Sequence, residues 1–337
     1  MVYRRALVKR RADRMGAWFI GFFNRTIFGF GTMAVSIAVV IPVYNAEEYL
    51  EYVLESLYAQ TTPADEIICV DDGSTDGSAR LIRSIRESHN DTTLRLLHQT
   101  NGGTASACNT GVAAVQSDYI IILGSDDILL PTRIEQDKQE LTAHPVDLLF
   151  GPSYTFSHDP DDLHFLKKKH EMNLKNIDKD PVVNGLLKRL HIPTNAATLK
   201  TSVWRQLGGY DARIAYSEDY DFWIRFFCTR PDIRYRHTAL SAYRFAAGHH
   251  SKSKHLDKKI LSRIQIAEKF FNNDACRDYH YLKPLTLTLM YETLAYDHWA
   301  LGQMQAYRSY ARQAFAQGLR GVQAKTILRY IKSYFKR

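Results

Sequence analysis

The chain has 337 residues, 45% hydrophobic and 24% charged, which is an ordinary globular composition with room for one large or two modest domains. Its formal charge of +8 sits at the ends: residues 1–32 and 320–337 each carry +6, so the two ends together hold +12 and residues 33–319 hold −4. A mildly acidic body excludes a nucleic-acid groove in the main domain, where a basic face would be needed. The four cysteines, Cys69, Cys108, Cys228 and Cys276, are far apart in sequence and form no CxxC pair. They predict neither a zinc site nor a disulfide framework and fit a reducing compartment.

At the start, Arg4, Arg5, Lys9, Arg10, Arg11 and Arg14 precede an apolar stretch from Ala17 to Phe23 that is too short to span a bilayer. No A-x-A-like cleavage site follows it, so it does not read as a secretion signal. Met33 stands just before the first strand, and residues 1–32 read as a basic, apolar extension that the fold can do without.

From Val35 the pattern alternates apolar strands with amphipathic helices, which predicts an α/β fold with a mostly parallel sheet covered by helices. The first strand is expected over Val35 to Ile41. Asn45 then reads as a helix cap with Glu48 as its capping-box partner, and Leu50, Val53, Leu54 and Leu57 form the buried stripe. A second strand, Ile67 to Val70, runs into Asp71-Asp72-Gly73-Ser74. A helix with Leu81, Ile82 and Ile85 follows, then a strand Leu94 to Leu97, a helix from about Thr104 to Val115, and a strand Tyr119 to Leu123 that ends in Gly124-Ser125-Asp126-Asp127. Pro131 is expected in the first turn of the next helix. Residues 151–182 read as loop-like, Gly208-Gly209-Tyr210-Asp211 as a turn, and the chain beyond about Lys258 as helical, with a helix pair over Leu294 to Phe315 broken at Gly302.

Three strand ends therefore carry polar or acidic clusters: Pro42-Val43-Tyr44-Asn45, Asp71-Asp72-Gly73-Ser74 and Ser125-Asp126-Asp127. In a parallel sheet these ends share one edge, where ligands of open α/β sheets collect. Turn chemistry alone explains any one cluster, but their coincidence points to a ligand. Tyrosine suits stacking on a nucleobase, a carboxylate suits a base N–H, and a divalent cation on Asp126 suits a diphosphate. Neither a GxGxxG nor a GxxxxGK[ST] loop follows these strands.

Taken in order, Val39 to Asn45, Val70 to Asp76, Asn101-Gly102-Gly103 with Asn109-Thr110-Gly111, Leu123 to Asp127, Gly208 to Asp211 and Glu218-Asp219-Tyr220-Asp221 resemble glycosyltransferase family 2 over residues 35–245. The resemblance implies a GT-A fold and an inverting transfer of a sugar from a nucleotide-sugar donor, taken as a UDP-sugar, to a hydroxyl of a glycan or lipid-linked acceptor. It implies that Pro42, Tyr44 and Asp72 contact the nucleoside, and Asn45, Asp71 and Ser125 at the same strand ends are expected to complete the donor site. Asp126 and Asp127 would hold Mg²⁺ or Mn²⁺, and Asp219 would be the catalytic base. His249, in a Gly-His-His-Ser loop, either touches the diphosphate or metal or is an ordinary exposed loop histidine. Two positions depart from the family pattern: Gly124 stands where the first acid of the DxD motif is usual, and Cys108 where an arginine is common. Asp219 also has a plain reading as a helix-start acid, and Trp223 and Arg225 read as local structure.

These expectations divide the chain into an extension (1–32), a GT-A domain (33–250) and a helical region (251–337). Two other functions stay open: a non-catalytic nucleotide-binding scaffold, and a sugar nucleotidyltransferase, although the latter normally carries a glycine-rich basic loop where this chain has Pro42 to Glu48. At the C-terminus Ile327, Ile331, Tyr334 and Phe335 recur at i, i+4, i+7 and i+8 among Arg329, Lys332 and Lys336. This is either a helix lying on an anionic membrane surface, at the inner face of the cytoplasmic membrane, or one that docks its apolar stripe on the body.

Overall fold

The computed structural model describes residues 35–157, 182–183, 192–244, 256–318 and 321–334. The N-terminal extension, His249, Phe335, Lys336 and most of 158–191 lie outside the described residues. The chain forms two compact units. The first takes in 35–157, 192–208 and 232–244; the second takes in 182–183, 209–231 and the described residues from 256 onward.

In the first unit, seven strands make a sheet: β1 (Ile37–Val43), β2 (Glu66–Asp71), β3 (Leu94–His98), β4 (Tyr119–Ile122), β6 (Leu148–Phe150), β8 (Ala197–Lys200) and β9 (Ile233–Tyr235). Their order is β3-β2-β1-β4-β8-β6-β9. All pairs are parallel except those made by β8, which runs against β4 and β6. The alternating pattern predicts this mostly parallel sheet, and it is the GT-A architecture that the family resemblance implies. A second, three-stranded sheet places β10 (Ser241–Arg244) between β5 (Ile128–Leu129) and β7 (Tyr154–Phe156). β7 falls inside the stretch expected to be loop-like. Three residues are too few to show a period against their polar flanks.

Among the described residues, five helices belong to this unit: α1 (Glu47–Tyr58), α2 (Ser78–Ser88), α3 (Gly103–Ala113), α4 (Arg133–Ala143) and α5 (Thr201–Leu207). Leu50, Val53, Leu54 and Leu57 of α1 join Ile37, Val39 and Ile41 of β1 in one core, as the helical spacing requires. On α3, a Cβ at Gly111 would lie 2.4 Å from Val40 Cγ1, so the glycine lets this helix sit close on the sheet.

Two helix starts differ from expectation. Ala46, not Asn45, precedes α1, and Asn45 turns away at φ 48° to accept a 2.8 Å hydrogen bond from Thr75 N. The orphan donors of α1 are met from the next loop instead: Ser78 Oγ accepts from Ala46 N at 2.9 Å, and Asp76 Oδ2 accepts from Glu47 N at 3.1 Å. Pro131 stands two residues ahead of α4, where its carbonyl accepts from Thr61 N at 2.7 Å.

The second unit contains α6 (Glu218–Cys228), α7 (Leu256–Phe271), a 3₁₀ segment (Asp274–Leu282), α8 (Lys283–Ala300), α9 (Met304–Ala316) and α10 (Ala324–Lys332). Gly302, at φ +73°, separates α8 from α9 where the sequence places the break. Phe222 packs against Tyr210, Trp223 and Phe226 with ring centroids 5.3–6.4 Å apart. The thiols of Cys228 and Cys276, distant in sequence, are 3.9 Å apart here. Among the described residues no helix is long and apolar enough to cross a membrane.

Candidate active site

The central strands β2, β1 and β4 are neighbours and parallel, so their carboxyl ends open on one edge. Val43 pairs with Asp71 and Val40 with Ile122, so the chain leaves β4 three residues earlier than β1 and residues 124–127 rise beside the β1 end. Tyr44, Asn45, Asp71, Asp72, Ser125, Asp126 and Asp127 are thus brought to one place. Tyr44 is 51% exposed there, as a stacking surface must be.

The two acids after β2 are engaged differently. Asp71 accepts from Ser74 N and from the His98 ring, both at 3.0 Å. Burial works to raise its carboxyl pKa, but the Ser74 and His98 hydrogen bonds outweigh that and hold it below the usual range. Asp72 Oδ1 accepts from Gln99 Nε2 (2.7 Å) and Gly102 N (2.8 Å), and Oδ2 accepts from Gly103 N (2.8 Å). The carboxylate thereby ties the start of α3 to the end of β2, at the helix end where negative charge is favoured. Three donors leave about one of a carboxylate's four lone-pair sites for a ligand.

The acids after β4 also diverge. Asp127 is buried and its two oxygens accept from Arg244 N (3.0 Å) and Asn195 Nδ2 (3.1 Å). Burial, then the adjacent Asp126 charge, raise its pKa well above the carboxylate range. It fastens the β4 exit to β10 and to the 3₁₀ turn Thr194–Ala196. Asp126 is half-buried. Among the described residues no three His, Cys, Asp or Glu side chains are gathered to hold a cation. The donor set still fits one, because a hard divalent ion that completes its shell with diphosphate oxygens and water needs only one or two carboxylates, and Asp126 supplies one.

Gly124 has a local reason. A Cβ there would come within 3.0 Å of both Asp126 Oδ1 and Asp127 Oδ2, so the acidic pair folds back over the space that a side chain would take.

Arg244 was not singled out by sequence reasoning. β10 pairs antiparallel with β5 through Ser241↔Leu129 and Ala242↔Ile128, and continuing that register sets Arg244 opposite Asp126. Its Nε donates to Asp126 O at 3.1 Å. Its guanidinium lies over the rings of Phe156 (4.5 Å), Tyr49 (4.6 Å) and Tyr52 (5.7 Å). Tyr49 and Tyr52, three residues apart on α1, share a helix face, and the register that brings them an arginine is set far away in sequence.

Asp219 lies in the second unit, in the first turn of α6, half-buried, with Oδ1 accepting from Tyr220 N at 2.8 Å. The turn that presents it is held in an unusual form. Ser217 has φ 65°, its Oγ accepts from Arg263 Nε at 3.3 Å, and the Tyr216 carbonyl accepts from Ser262 Oγ at 2.5 Å. A non-glycine residue at positive φ costs energy and persists where its surroundings fix it. Arg225 donates to Asp221 (2.8 Å) and to the Gly209 carbonyl (2.7 Å), as a residue of local structure would. His249 lies outside the described residues.

The mostly parallel sheet, with acids gathered at the carboxyl ends of its central strands, has the α/β arrangement of a GT-A fold. The family profile described as "Glycosyl transferase family 2" matches residues 38–206, half of the sequence, and the chain belongs to that family. Glycosyltransferase GlyG of Streptococcus pneumoniae serotype 4 is 33% identical over 153 residues, covering 45% of this chain and 50% of that protein. An uncharacterized glycosyltransferase of Rickettsia conorii is 27% identical over 220 residues, 64% of this chain and 35% of its own length. The chain thus spans about a third to a half of these relatives. Among solved structures, Staphylococcus aureus TarS 1–349 in complex with UDP-GlcNAc aligns with TM-score 0.63 at 17% identity over 89% of this chain and 88% of that one. The mannosyltransferase PcManGT from Pyrobaculum calidifontis, in complex with GDP-Man and Mn²⁺, aligns with TM-score 0.55 at 19% identity over 98% and 95%.

Proposed function

We propose that this chain is an inverting glycosyltransferase that moves a sugar from a nucleoside-diphosphate donor, a UDP-sugar, to a hydroxyl of a glycan or lipid-linked acceptor. Its place is envelope or exopolysaccharide assembly at the inner face of the cytoplasmic membrane. The observation that carries the reading is the convergence of Tyr44, Asp71-Asp72 and Asp126 on one edge of a family 2 sheet. The UDP-GlcNAc of TarS and the GDP-Man with Mn²⁺ of PcManGT support the donor class. Residues 33–250 are assigned as the glycosyltransferase domain and 251–337 as its helical region.

In this reading Tyr44 stacks on the base while Pro42 and Asn45 shape the nucleoside pocket. Asp72, with its remaining lone pair, accepts from a base N–H, and Asp71 keeps the 71–74 turn in form through Ser74 and His98. Ser125 and Asp126 face the diphosphate, and Asp127 and Arg244 hold that turn rigid from behind. Mg²⁺ or Mn²⁺ held by Asp126 supplies, when bound, positive charge for the departing diphosphate. A contact of His249 with the same diphosphate is part of this reading. Asp219 removes the acceptor hydroxyl's proton as that oxygen bonds to the anomeric carbon. The bond to the diphosphate oxygen breaks on the opposite face, so the configuration inverts.

The test is transfer from a labelled UDP-sugar by wild type and by Asp219→Asn. The variant loses roughly 10²–10⁴-fold in kcat, the size of a general-base contribution, with donor-nucleotide affinity unchanged. Full transfer by the variant would remove Asp219 from the chemistry.

A further inference from the structure

Helix α10 carries its polarity in the reverse sense for a helix that merely packs on its own unit. The residues turned inward are Thr326 and Ser333, 7% and 0% exposed, with Tyr330 half-buried between them. The residues turned outward are Ile327 (39%), Leu328 (58%) and Ile331 (54%), with Tyr334 (52%) just past the helix end. At about 100° per residue the three aliphatic side chains share one arc, opposite the Thr326–Ser333 seam. The apolar stripe read from the sequence is therefore not what docks the helix.

Polar contacts seat it instead, together with the Tyr330 ring, which packs edge-on to Phe315 at 5.1 Å. Tyr307 OH donates to the Thr326 carbonyl (2.8 Å), Arg308 to the Ser333 carbonyl (3.3 Å), and Arg312 to the hydroxyls of Tyr330 (2.9 Å) and Tyr334 (3.0 Å). Gln323 N donates to Glu292 Oε1 at 2.9 Å.

The charge beside the aliphatic arc is of one sign. Lys325 and Lys332 are exposed next to it. Arg329 follows, its guanidinium 4.9 Å over the exposed ring of Tyr296. Residues 320–337 contain six Lys or Arg and no acid. A second copy of this face would set +6 against +6, and so would residues 1–32 of the same chain, so neither is a suitable cover. A polyanionic sheet with an apolar layer beneath it satisfies both arcs at once.

We propose that Ile327, Leu328 and Ile331, flanked by Lys325 and Lys332, form a docking surface for an anionic lipid bilayer. The helix lies in the plane of the headgroups. This deepens the membrane-surface part of the function proposed above and is independent of its chemistry.

The test is co-sedimentation of the full chain with phosphatidylcholine vesicles, with and without phosphatidylglycerol. The wild type binds the phosphatidylglycerol vesicles preferentially, and added salt weakens binding. The Ile327→Ser/Ile331→Ser pair, at positions exposed enough to leave folding intact, weakens binding about tenfold or more. The Lys325→Glu/Lys332→Glu pair removes the preference for the anionic lipid. Wild-type binding by the serine pair would place the contact elsewhere and overturn the proposal. So would a vesicle-blind wild-type dimer that the serine pair turns into a monomer. Binding is read without donor or acceptor, so it stands or falls apart from any nucleotide titration.

Discussion

Replacing Asp127 separates the two roles open to the acidic pair. The Asp127 carboxylate accepts from Arg244 N and from Asn195 Nδ2, in a site where water has almost no access. Asp127→Ala takes this acceptor from both buried donors, at about 1–3 kcal/mol each, so the variant should lose roughly 2–6 kcal/mol before relaxation. Asp127→Asn should behave differently, because Asn195 Oδ1 is buried without a hydrogen-bond partner. A turn of the Asn195 amide presents that oxygen to the introduced NH₂, while the introduced carbonyl keeps the bond from Arg244 N. Removal of a carboxylate that burial and Asp126 disfavour adds a small gain, so the net change should stay within about 1 kcal/mol. Urea unfolding of the three proteins measures this, and calorimetry with UDP and Mn²⁺ should show nucleotide binding little changed in Asp127→Asn. Equal loss of stability in both variants would refute the structural role, as would loss of metal-dependent binding in the stable asparagine variant.

Further outcomes follow from the same geometry. Arg133 and Asp137, 1% and 0% exposed at the side chain, form a buried ion pair that also engages Thr198, the Asn195 carbonyl and Arg236. Arg133→Met should cost about 3 kcal/mol, the low end for breaking a buried pair, because Arg236 still faces Asp137; a loss below about 1 kcal/mol in urea would contradict this. Gly111→Ala should destabilise, since the contacts at 2.4 Å to Val40 and 3.1 Å to Val70 imply about 1–3 kcal/mol of overpacking against about 1 kcal/mol gained in helix propensity; a raised Tm would contradict it. On the acid side, Arg213 holds the Asp211 carboxyl below its usual range, and Asp71, Asp76 and Asp91 are also lowered. Their folded-state pKa values lie below the unfolded ones, so their stabilisation is complete above about pH 4 and is lost as pH falls through the folded values. Urea midpoints should fall below about pH 4, less steeply in Asp211→Asn; at higher pH the raised Asp127 carboxyl works in the opposite sense, so the midpoint should rise as pH falls from about 7 to 5.

Much of the first unit was legible because its strands and helices are long enough to show their periods. The stripe Leu50, Val53, Leu54, Leu57 and the three polar or acidic strand ends are local patterns, and parallel order follows from the alternation. What was hidden depends on pairing across long separations. β7 and β10 are three and four residues long, and nothing near Arg244 announces that it sits opposite Asp126. Asn45 has the chemistry of a cap, yet Ser78 and Asp76 supply that function from about 30 residues away, which no local rule registers. At Gly124 the family pattern marked a missing acid; the crowding of Asp126 and Asp127 over that position needed coordinates. The inversion of α10 has the same origin, because periodicity finds a stripe but not the side that the rest of the chain covers.

The most direct measurement is calorimetric titration of UDP with and without Mn²⁺ on the wild type and on Asp126→Ala, with GDP and dTDP alongside. The account predicts metal-dependent binding of UDP that disappears in the variant while its unfolding transition is kept. No nucleotide bound by folded wild type, or binding that ignores both the metal and the substitution, would contradict the donor site at this sheet edge.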